Sequence, residues 1–75
     1  MIIKYKTIPA EQIEIGDQIV INDDTLMVYN IIQDDKDIIT FENPVMQFPR
    51  TSYIAKKNSK VKIVSETILE DNEKL

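Results

Sequence analysis

The stretch Q-I-E-I-G-D-Q-I-V-I, residues 12–21, places the only glycine of the chain between two alternating apolar runs. Glycine adopts positive φ at no steric cost, and an aspartate beside it can hydrogen-bond its own backbone. Ile15-Gly16-Asp17 therefore predicts a tight bend that starts a strand and buries Ile13 and Ile15. Pro9, followed by good helix formers, predicts one short helical turn before the bend.

The residues on either side of this bend alternate with the period of a β-strand. In Ile2 to Ile8, the phase that contains Tyr5 is predicted to be buried and the phase that contains Lys4 and Lys6 to face water. A change of phase in residues 26–33 indicates a bulge or strong bend near Asn30. The other residues predicted to face inward are Ile3, Thr7, Ile19, Ile21, Leu26, Val28, Ile39, Phe41, Val61 and Ile63.

Two segments lack this alternation. Residues 43–59 contain Pro44 and Pro49 among apolar side chains, which predicts a packed loop with a helical turn near Ser52. Residues 65–75 are polar and acidic, and we predict a flexible tail or a short helix capped by Ser65. The predicted organisation is one domain at 1–64 followed by an acidic C-terminal tail at 65–75.

About five short strands at turn spacing predict an all-β domain, closed as a small barrel or roll. Four segments, A-E-Q-I-E-I-G-D-Q-I-V-I (10–21), L-M-V-Y-N-I-I (26–32), I-I-T-F (38–41) and K-V-K-I-V (60–64), resemble the small SH3-like β-barrel accessory proteins of bacteriophages and phage-like marine sequences. The resemblance implies an SH3-like barrel of about five antiparallel strands and no characterised activity. The Gly16-Asp17 opening also resembles the nucleic-acid-binding barrel called KOW, whose later glycines this chain lacks.

Histidine and cysteine are both absent from the chain. This composition excludes disulfides, thiolate zinc sites, imidazole ligands and a His or Cys base for a nucleophile. The clustered aspartates, Asp23 with Asp24 and Asp34 with Asp35 and Asp37, fall in predicted turns without a pocket or the ligand series of a calcium loop. We therefore expect a protein that is not an enzyme and that has no cofactor and no metal site.

The charges are segregated along a chain whose net charge is -4. Acids fill the middle, whereas lysines lie near both ends, and the first and last strands of small barrels often pair. We expect Lys4, Lys6, Lys60 and Lys62 to share one outer face, which leaves a solvated lysine face or a nucleic-acid site as alternatives. The nucleic-acid alternative comprises Lys4, Lys6, Lys56, Lys57, Lys60 and Lys62, and the acidic tail folded against this face is a further alternative.

The apolar run Met46-Gln47-Phe48-Pro49 follows Pro44 closely and predicts a surface patch for a partner or a second copy. Tyr5, Tyr29, Phe41 and Phe48 are otherwise assigned to the core of so small a protein. The leading expectation is a non-enzymatic binding or assembly module whose contacts, with a protein partner or with a second copy, involve Met46, Phe48, Arg50 and Tyr53. A weaker alternative is that the acidic middle mimics phosphate and occupies a nucleic-acid-binding protein.

No apolar run is long enough for a membrane span, and the N-terminal residues do not resemble a signal peptide. The expected location is the cytoplasm, which would be that of the host cell if a phage encodes the chain.

Overall fold

The computed structural model describes residues 1–34, 36–45 and 51–69, which form an all-β domain, as predicted. They contain seven strands rather than about five. The strand predicted over residues 26–33 is interrupted at a corner, and an additional strand begins at Ser52. The strands are β1 (Ile2–Pro9), β2 (Gln18–Ile21), β3 (Asp24–Met27), β4 (Asn30–Gln33), β5 (Ile38–Glu42), β6 (Ser52–Lys56) and β7 (Lys60–Ile68). The predicted short helical turn is a 3₁₀ turn at Ala10–Gln12 between β1 and β2.

The strands form two antiparallel sheets. The first has four strands in the order β1-β7-β2-β3, and the second has three in the order β4-β5-β6. The pairing of the first strand with the last is confirmed. The ladders of the described residues do not close into one barrel, so the predicted closure is not observed there.

The chain passes from one sheet to the other at Val28 and Tyr29. Val28 N–H donates to the Asp17 carbonyl at 2.9 Å, whereas the next amide, of Tyr29, donates to the Glu42 carbonyl at 2.8 Å. Consecutive residues therefore hydrogen-bond to different sheets. The bend predicted near Asn30 is confirmed as this corner between β3 and β4.

One hydrophobic core lies between the sheets. Phe41 and Ile39 of β5 face Ile19, Leu26 and other apolar side chains of the four-stranded sheet. In β2, β3, β5 and the first half of β7, the side chains that were predicted to face inward do so. The buried apolar residues are Ala10, Ile13, Ile19, Leu26, Val28, Ile39, Phe41, Ala55, Val61 and Ile63.

The predicted bend at Gly16 is confirmed, with φ of +98° at the glycine. The Asp17 carboxylate accepts a hydrogen bond from Glu14 N–H at 2.8 Å, and Asp17 N–H donates to the Glu14 carbonyl at 3.1 Å. Ile13 is buried, but Ile15 is 68% exposed, so its predicted burial is wrong. Ile15 is itself a residue of the turn, and the turn directs the Ile15 side chain away from the core.

The first strand and the end of the last form a two-stranded ribbon that the core covers only at its base. Tyr5 is 48% exposed and Ile3 and Thr7 are also exposed, so the predicted inward face of β1 is wrong. The register shows why: Tyr5 lies opposite Val64, whereas Ile8 of the other phase lies opposite the buried Val61. The alternation correctly predicted that β1 is a strand, but it did not predict which face of β1 the rest of the molecule covers.

Three further predictions are wrong. Residues 65–68 are not a tail or helix, because β7 continues through Ile68 and Glu66 and Thr67 pair with the start of β1. The segment at Ser52 is strand β6 rather than a helical turn, since its residues pair one by one with β5. Tyr29, a predicted core residue, lies exposed at the corner between the sheets.

Candidate protein-binding surface

Three of the four predicted partner-binding residues lie outside the described residues: Met46, Phe48 and Arg50. The alternative prediction that Phe48 belongs to the core therefore also falls outside them. The fourth, Tyr53, lies in β6 directly opposite Phe41 and packs against the core. Tyr53 is therefore half-buried and faces inward, so its ring contributes to the core rather than to a freely exposed patch.

The lysines of β1 and β7 do not share one face. Residues directly opposite each other in an antiparallel pair have side chains on the same side. Lys6 lies opposite Ile63, on the side of the core residues, whereas Lys62 lies opposite Thr7 on the other side. Lys4 shares the phase of Lys6, so the prediction that Lys4, Lys6, Lys60 and Lys62 form one outer face is wrong.

Two of these lysines have partners within the ribbon. The Lys4 ammonium lies 3.9 Å from the Glu66 carboxylate, and the Lys62 ammonium lies 4.5 Å from the centroid of the Tyr5 ring. Glu66 belongs to the acidic segment whose folding against the lysines was one of the alternatives, and it lies beside Lys4 as part of β7. The Glu66 carboxylate offsets the charge of Lys4, whereas the Tyr5 ring holds the Lys62 ammonium without neutralising it.

The other three lysines of the nucleic-acid alternative are dispersed. Lys56 ends β6 on the outer side of the three-stranded sheet, and Lys60 begins β7 opposite Pro9. Lys57 lies in the turn between them, where its backbone N–H donates to the Asp37 carbonyl at 2.8 Å. The set is therefore spread over different surfaces and does not line a single groove.

The outer side of the three-stranded sheet carries an apolar patch that we call the isoleucine face, formed by Ile32, Ile38 and Ile54 around Thr40. Ile32 and Ile54 lie on either side of Thr40 in one cross-strand row. They are 52% and 62% exposed, and Ile38 is partly exposed in the adjoining row. A group of exposed apolar side chains on one face of a sheet is typical of a contact surface.

The side chains of the isoleucine face point outward because the opposite phase of the same strands faces the core. In β5, Ile39 and Phe41 are buried, which directs Ile38, Thr40 and Glu42 to the other side. In β6, Tyr53 and Ala55 face inward and leave Ile54 outside. The pleat of the sheet therefore fixes the position of these side chains.

Polar groups surround the isoleucine face. The row beyond Thr40 contains Asn30, Glu42 and Ser52, and the row of Ile38 ends at Lys56. Asp34 lies at the remaining corner, where its Oδ1 accepts hydrogen bonds from Lys36 N–H at 2.8 Å and Ile38 N–H at 3.1 Å. An apolar centre with a polar rim is the usual composition of a protein-binding surface.

Sequence reasoning missed this surface. Ile32 shares a phase with Leu26 and Val28 in the sequence but follows the predicted bend, and Ile54 is predicted to lie in a loop. The corner at Val28 and Tyr29 changes which phase faces inward, so Ile32 lies outside. The sequence Tyr53-Ile54-Ala55 contained the available signal. In a strand, Ile54 must face the side opposite to Tyr53 and Ala55, so burial of those two residues leaves Ile54 exposed.

Residues 1–34, 36–45 and 51–69 contain no cleft or cavity and no group of three acidic side chains that could hold a metal ion. None of their helical segments is long and apolar enough to cross a membrane. Comparison with protein-family models, curated proteins and solved structures finds no match to this chain. Functional interpretation therefore depends on the surface geometry.

Proposed function

We propose that this chain is a small, non-enzymatic binding or assembly module that acts through protein–protein contacts. The observation that carries this proposal is the isoleucine face, which exposes Ile32 and Ile54 on either side of Thr40 on a sheet already anchored to the core. Burial of exposed apolar area drives association, at about 25 cal/mol per Å² before its costs are subtracted. A second protein that covers this face would remove three isoleucines from water.

An SH3-like architecture remains part of the proposal. If β3 and β4 are counted as one strand bent at Val28, the chain forms a meander from β2 to β6, and β7, which follows β6 through a turn, pairs with β2. This order supports a partly opened SH3-like barrel to which β1 is added as an extra edge strand. The proposed similarity to phage accessory proteins concerns the same meander.

The predicted loop contributes to the proposal at its described end. Val45 is 70% exposed and begins the connection from β5 to β6, at the end of the sheet where Glu42 lies opposite Ser52. A partner seated on the isoleucine face is therefore close to this connection.

Site-specific cross-linking tests the proposal. A benzophenone amino acid replaces Ile54 or Ile32, and a matched control replaces Ile15, which is similarly exposed but lies in the turn before β2. In cells that naturally produce the chain, we expect irradiation to yield protein adducts from positions 54 and 32, including adducts with a second copy. Equal yields from all three positions, or no protein adducts, would contradict the proposal.

A further inference from the structure

We infer that the free edge of β4 (Asn30–Gln33) pairs antiparallel with β4 of a second copy of this chain, which joins two three-stranded sheets into one sheet of six strands. The inference rests on the proposed function and names one partner. It starts from the position of β4 at the end of its sheet, where β5 is its only hydrogen-bonded neighbour among the described strands. All four residues of β4 are exposed, so the strand is accessible along its length.

The hydrogen bonds around β5 show which backbone groups of β4 lie at the free edge. Asp34 N–H donates to the Ile38 carbonyl at 3.1 Å, in the register of the β4–β5 pair. Asn43 N–H instead donates to the residue before β6, at 2.9 Å. Even-numbered residues therefore form the bonds between β4 and β5, because bonding direction alternates along an antiparallel strand. The N–H and C=O groups of Ile31 and Gln33 consequently point away from β5.

The edge of β4 lacks the residues that protect edge strands from pairing. Its four residues are uncharged and include no proline. The other edge strands each contain such a residue: Lys4, Lys6 and Pro9 in β1, Asp24 in β3 and Lys56 in β6. In addition, the Lys56 carbonyl already accepts a hydrogen bond from Ser59 N–H at 3.0 Å. Of these edges, β4 is therefore the best suited to pair with another strand.

The rest of the domain leaves room for a strand beside β4. Ile31 lies opposite the buried Phe41 on the inward side of the sheet, yet it is 37% exposed. The four-stranded sheet therefore does not cover this part of β4. Ile32 is exposed on the outer side, so an added strand would cover apolar surface on both sides of the sheet.

The register of the pairing follows from the backbone groups. A twofold axis between the two copies of Ile32, perpendicular to the sheet, places Ile31 of each copy opposite Gln33 of the other. Each of these two pairs then exchanges two N–H···O=C hydrogen bonds. An axis at Ile31 instead places Gln33 opposite Tyr29, whose N–H already donates to the Glu42 carbonyl at 2.8 Å. An axis at Gln33 places Ile31 against the turn between β4 and β5, so the register centred on Ile32 forms the most hydrogen bonds.

The side chains are compatible with this register. Asp34 is the one charged residue in the segment 30–34, and it lies opposite Asn30 of the other copy rather than opposite another charge. The Asn30 amide can donate to Asp34 Oδ2, since Oδ1 accepts two backbone hydrogen bonds of its own turn. Ile32 lies beside Ile32 of the other copy, so the two isoleucine faces join. The strand contributes four residues, against about 20–30 per partner in a standard interface, so we expect a weak dimer.

Single introduced cysteines test the register, because the chain contains none. In Ile32→Cys, the Cα atoms of the two copies would be about 4.5 Å apart, within the range of about 4.4–6.8 Å that a disulfide allows. Ile54→Cys is a matched control on the same face, about 24 Å from its counterpart across five strand spacings. Ile31→Cys is displaced from its counterpart by two residues, a distance of about 8 Å.

We expect Ile32→Cys to form a covalent dimer at least about tenfold faster than Ile31→Cys and Ile54→Cys, because pairing raises the effective thiol concentration at position 32 alone. The measurement is non-reducing gel electrophoresis during mild oxidation at about 0.5 mM protein, a concentration suited to weak association. Faster reaction at position 31 would show a different register, and equal reaction at positions 32 and 54 would show stacked faces. Either result overturns the inference.

Sedimentation velocity tests the hydrogen bonds without a cross-link. Gln33→Pro removes an N–H that points to the free edge, whereas Gln33→Thr keeps it. Proline is tolerated in an edge strand where its missing N–H faces solvent, so circular dichroism of both variants should match that of the wild type. We expect Gln33→Thr to dimerise as the wild type does up to about 1 mM, and Gln33→Pro to dimerise at least about tenfold more weakly.

The outcomes distinguish the inference from the function on which it rests. A wild type that is monomeric at about 1 mM, or folded proline and threonine variants that dimerise equally, overturns the pairing of β4 strands. If the benzophenone at position 54 still captures a different protein, the binding function stands and only the second copy is wrong. A monomer that gives no adducts from positions 32 and 54 overturns both.

Discussion

The ammonium group of Lys62 lies 4.5 Å from the centre of the Tyr5 ring, on the side of the ribbon that faces away from the core. The two residues belong to β7 and β1, so this contact joins the strands beyond the part that the core holds together. It gives the Tyr5 ring, which is 48% exposed, a partner on the neighbouring strand. An exposed cation–π contact of this geometry contributes about 0.5–1 kcal/mol.

Removal of this contact should therefore be measurable in a double-mutant cycle. We expect Tyr5→Leu and Lys62→Met each to lower the free energy of unfolding slightly, with a coupling of about 0.5 kcal/mol between them. Urea denaturation of the two single variants and the double variant measures the coupling. Additive effects would show that the ring and the ammonium group do not interact in solution.

The dispersed lysines lead to a prediction about nucleic acids. We expect no binding to single- or double-stranded oligonucleotides by fluorescence anisotropy at about 50 mM salt, where electrostatic binding is strong. The reasons are the net charge of -4 and the location of Lys6 and Lys62 on opposite sides of the ribbon. Salt-sensitive binding that is lost in the double variant Lys60→Glu, Lys62→Glu would favour the nucleic-acid alternative instead.

Phe41 and Ile54 allow a matched comparison of the free energy of unfolding. Phe41 is fully buried, whereas Ile54 on the neighbouring strand is exposed. Phe41→Ala should cost about 3–5 kcal/mol through lost burial and the cavity it leaves, enough to unfold a domain of this size. Ile54→Ala should change the free energy of unfolding by at most about 0.5 kcal/mol. Thermal and urea denaturation measure both, and a similar cost for the two would contradict the arrangement of the three-stranded sheet.

Gly16 is predicted to be required for its backbone conformation rather than for space. A Cβ added at this position would meet no atom within 4 Å, yet φ is +98°. Gly16→Ala should therefore destabilise the protein by about 1–2 kcal/mol, through backbone strain alone. Urea denaturation gives the value, and a stabilised Gly16→Ala variant would show that the bend before β2 has a different conformation.

Asp34 is predicted to stabilise the turn between β4 and β5, because its Oδ1 accepts hydrogen bonds from two backbone amides. Asp34→Ala should cost about 1 kcal/mol, whereas Asp34→Asn keeps an acceptor oxygen and should cost less. Amide hydrogen exchange at Lys36 and Ile38 provides the local measurement, and it should increase in the alanine variant. Unchanged exchange at both amides would contradict the hydrogen bonds.

The sequence was most informative where a strand has one side against the core. Ile39 and Phe41, and likewise Val61 and Ile63, were correctly predicted to face inward because water covers the other side of their strands. Gly16 was equally informative, since its positive φ follows from the freedom of the residue itself. Local chemistry and the period of a strand were sufficient for these features.

Features that depend on distant parts of the chain were not predictable in this way. Tyr5 alternates correctly with its neighbours, but the core covers only the base of the ribbon to which it belongs. The extension of β7 through Ile68 depends on pairing with residues more than sixty positions earlier. The isoleucine face was missed because the sequence indicated a change of phase near Asn30, but not which sides of β4 and β6 would face the core.

The accessibility of the isoleucine methyl groups tests the central claim most directly. In a sample with methyl-labelled isoleucines and a soluble paramagnetic agent, nuclear relaxation reports which methyl groups the solvent reaches. If the three-stranded sheet contacts a second copy along β4, paramagnetic relaxation of Ile31 and Ile32 should fall as protein concentration rises, while that of Ile15 stays constant. Relaxation of all three that does not change with concentration would contradict the claim.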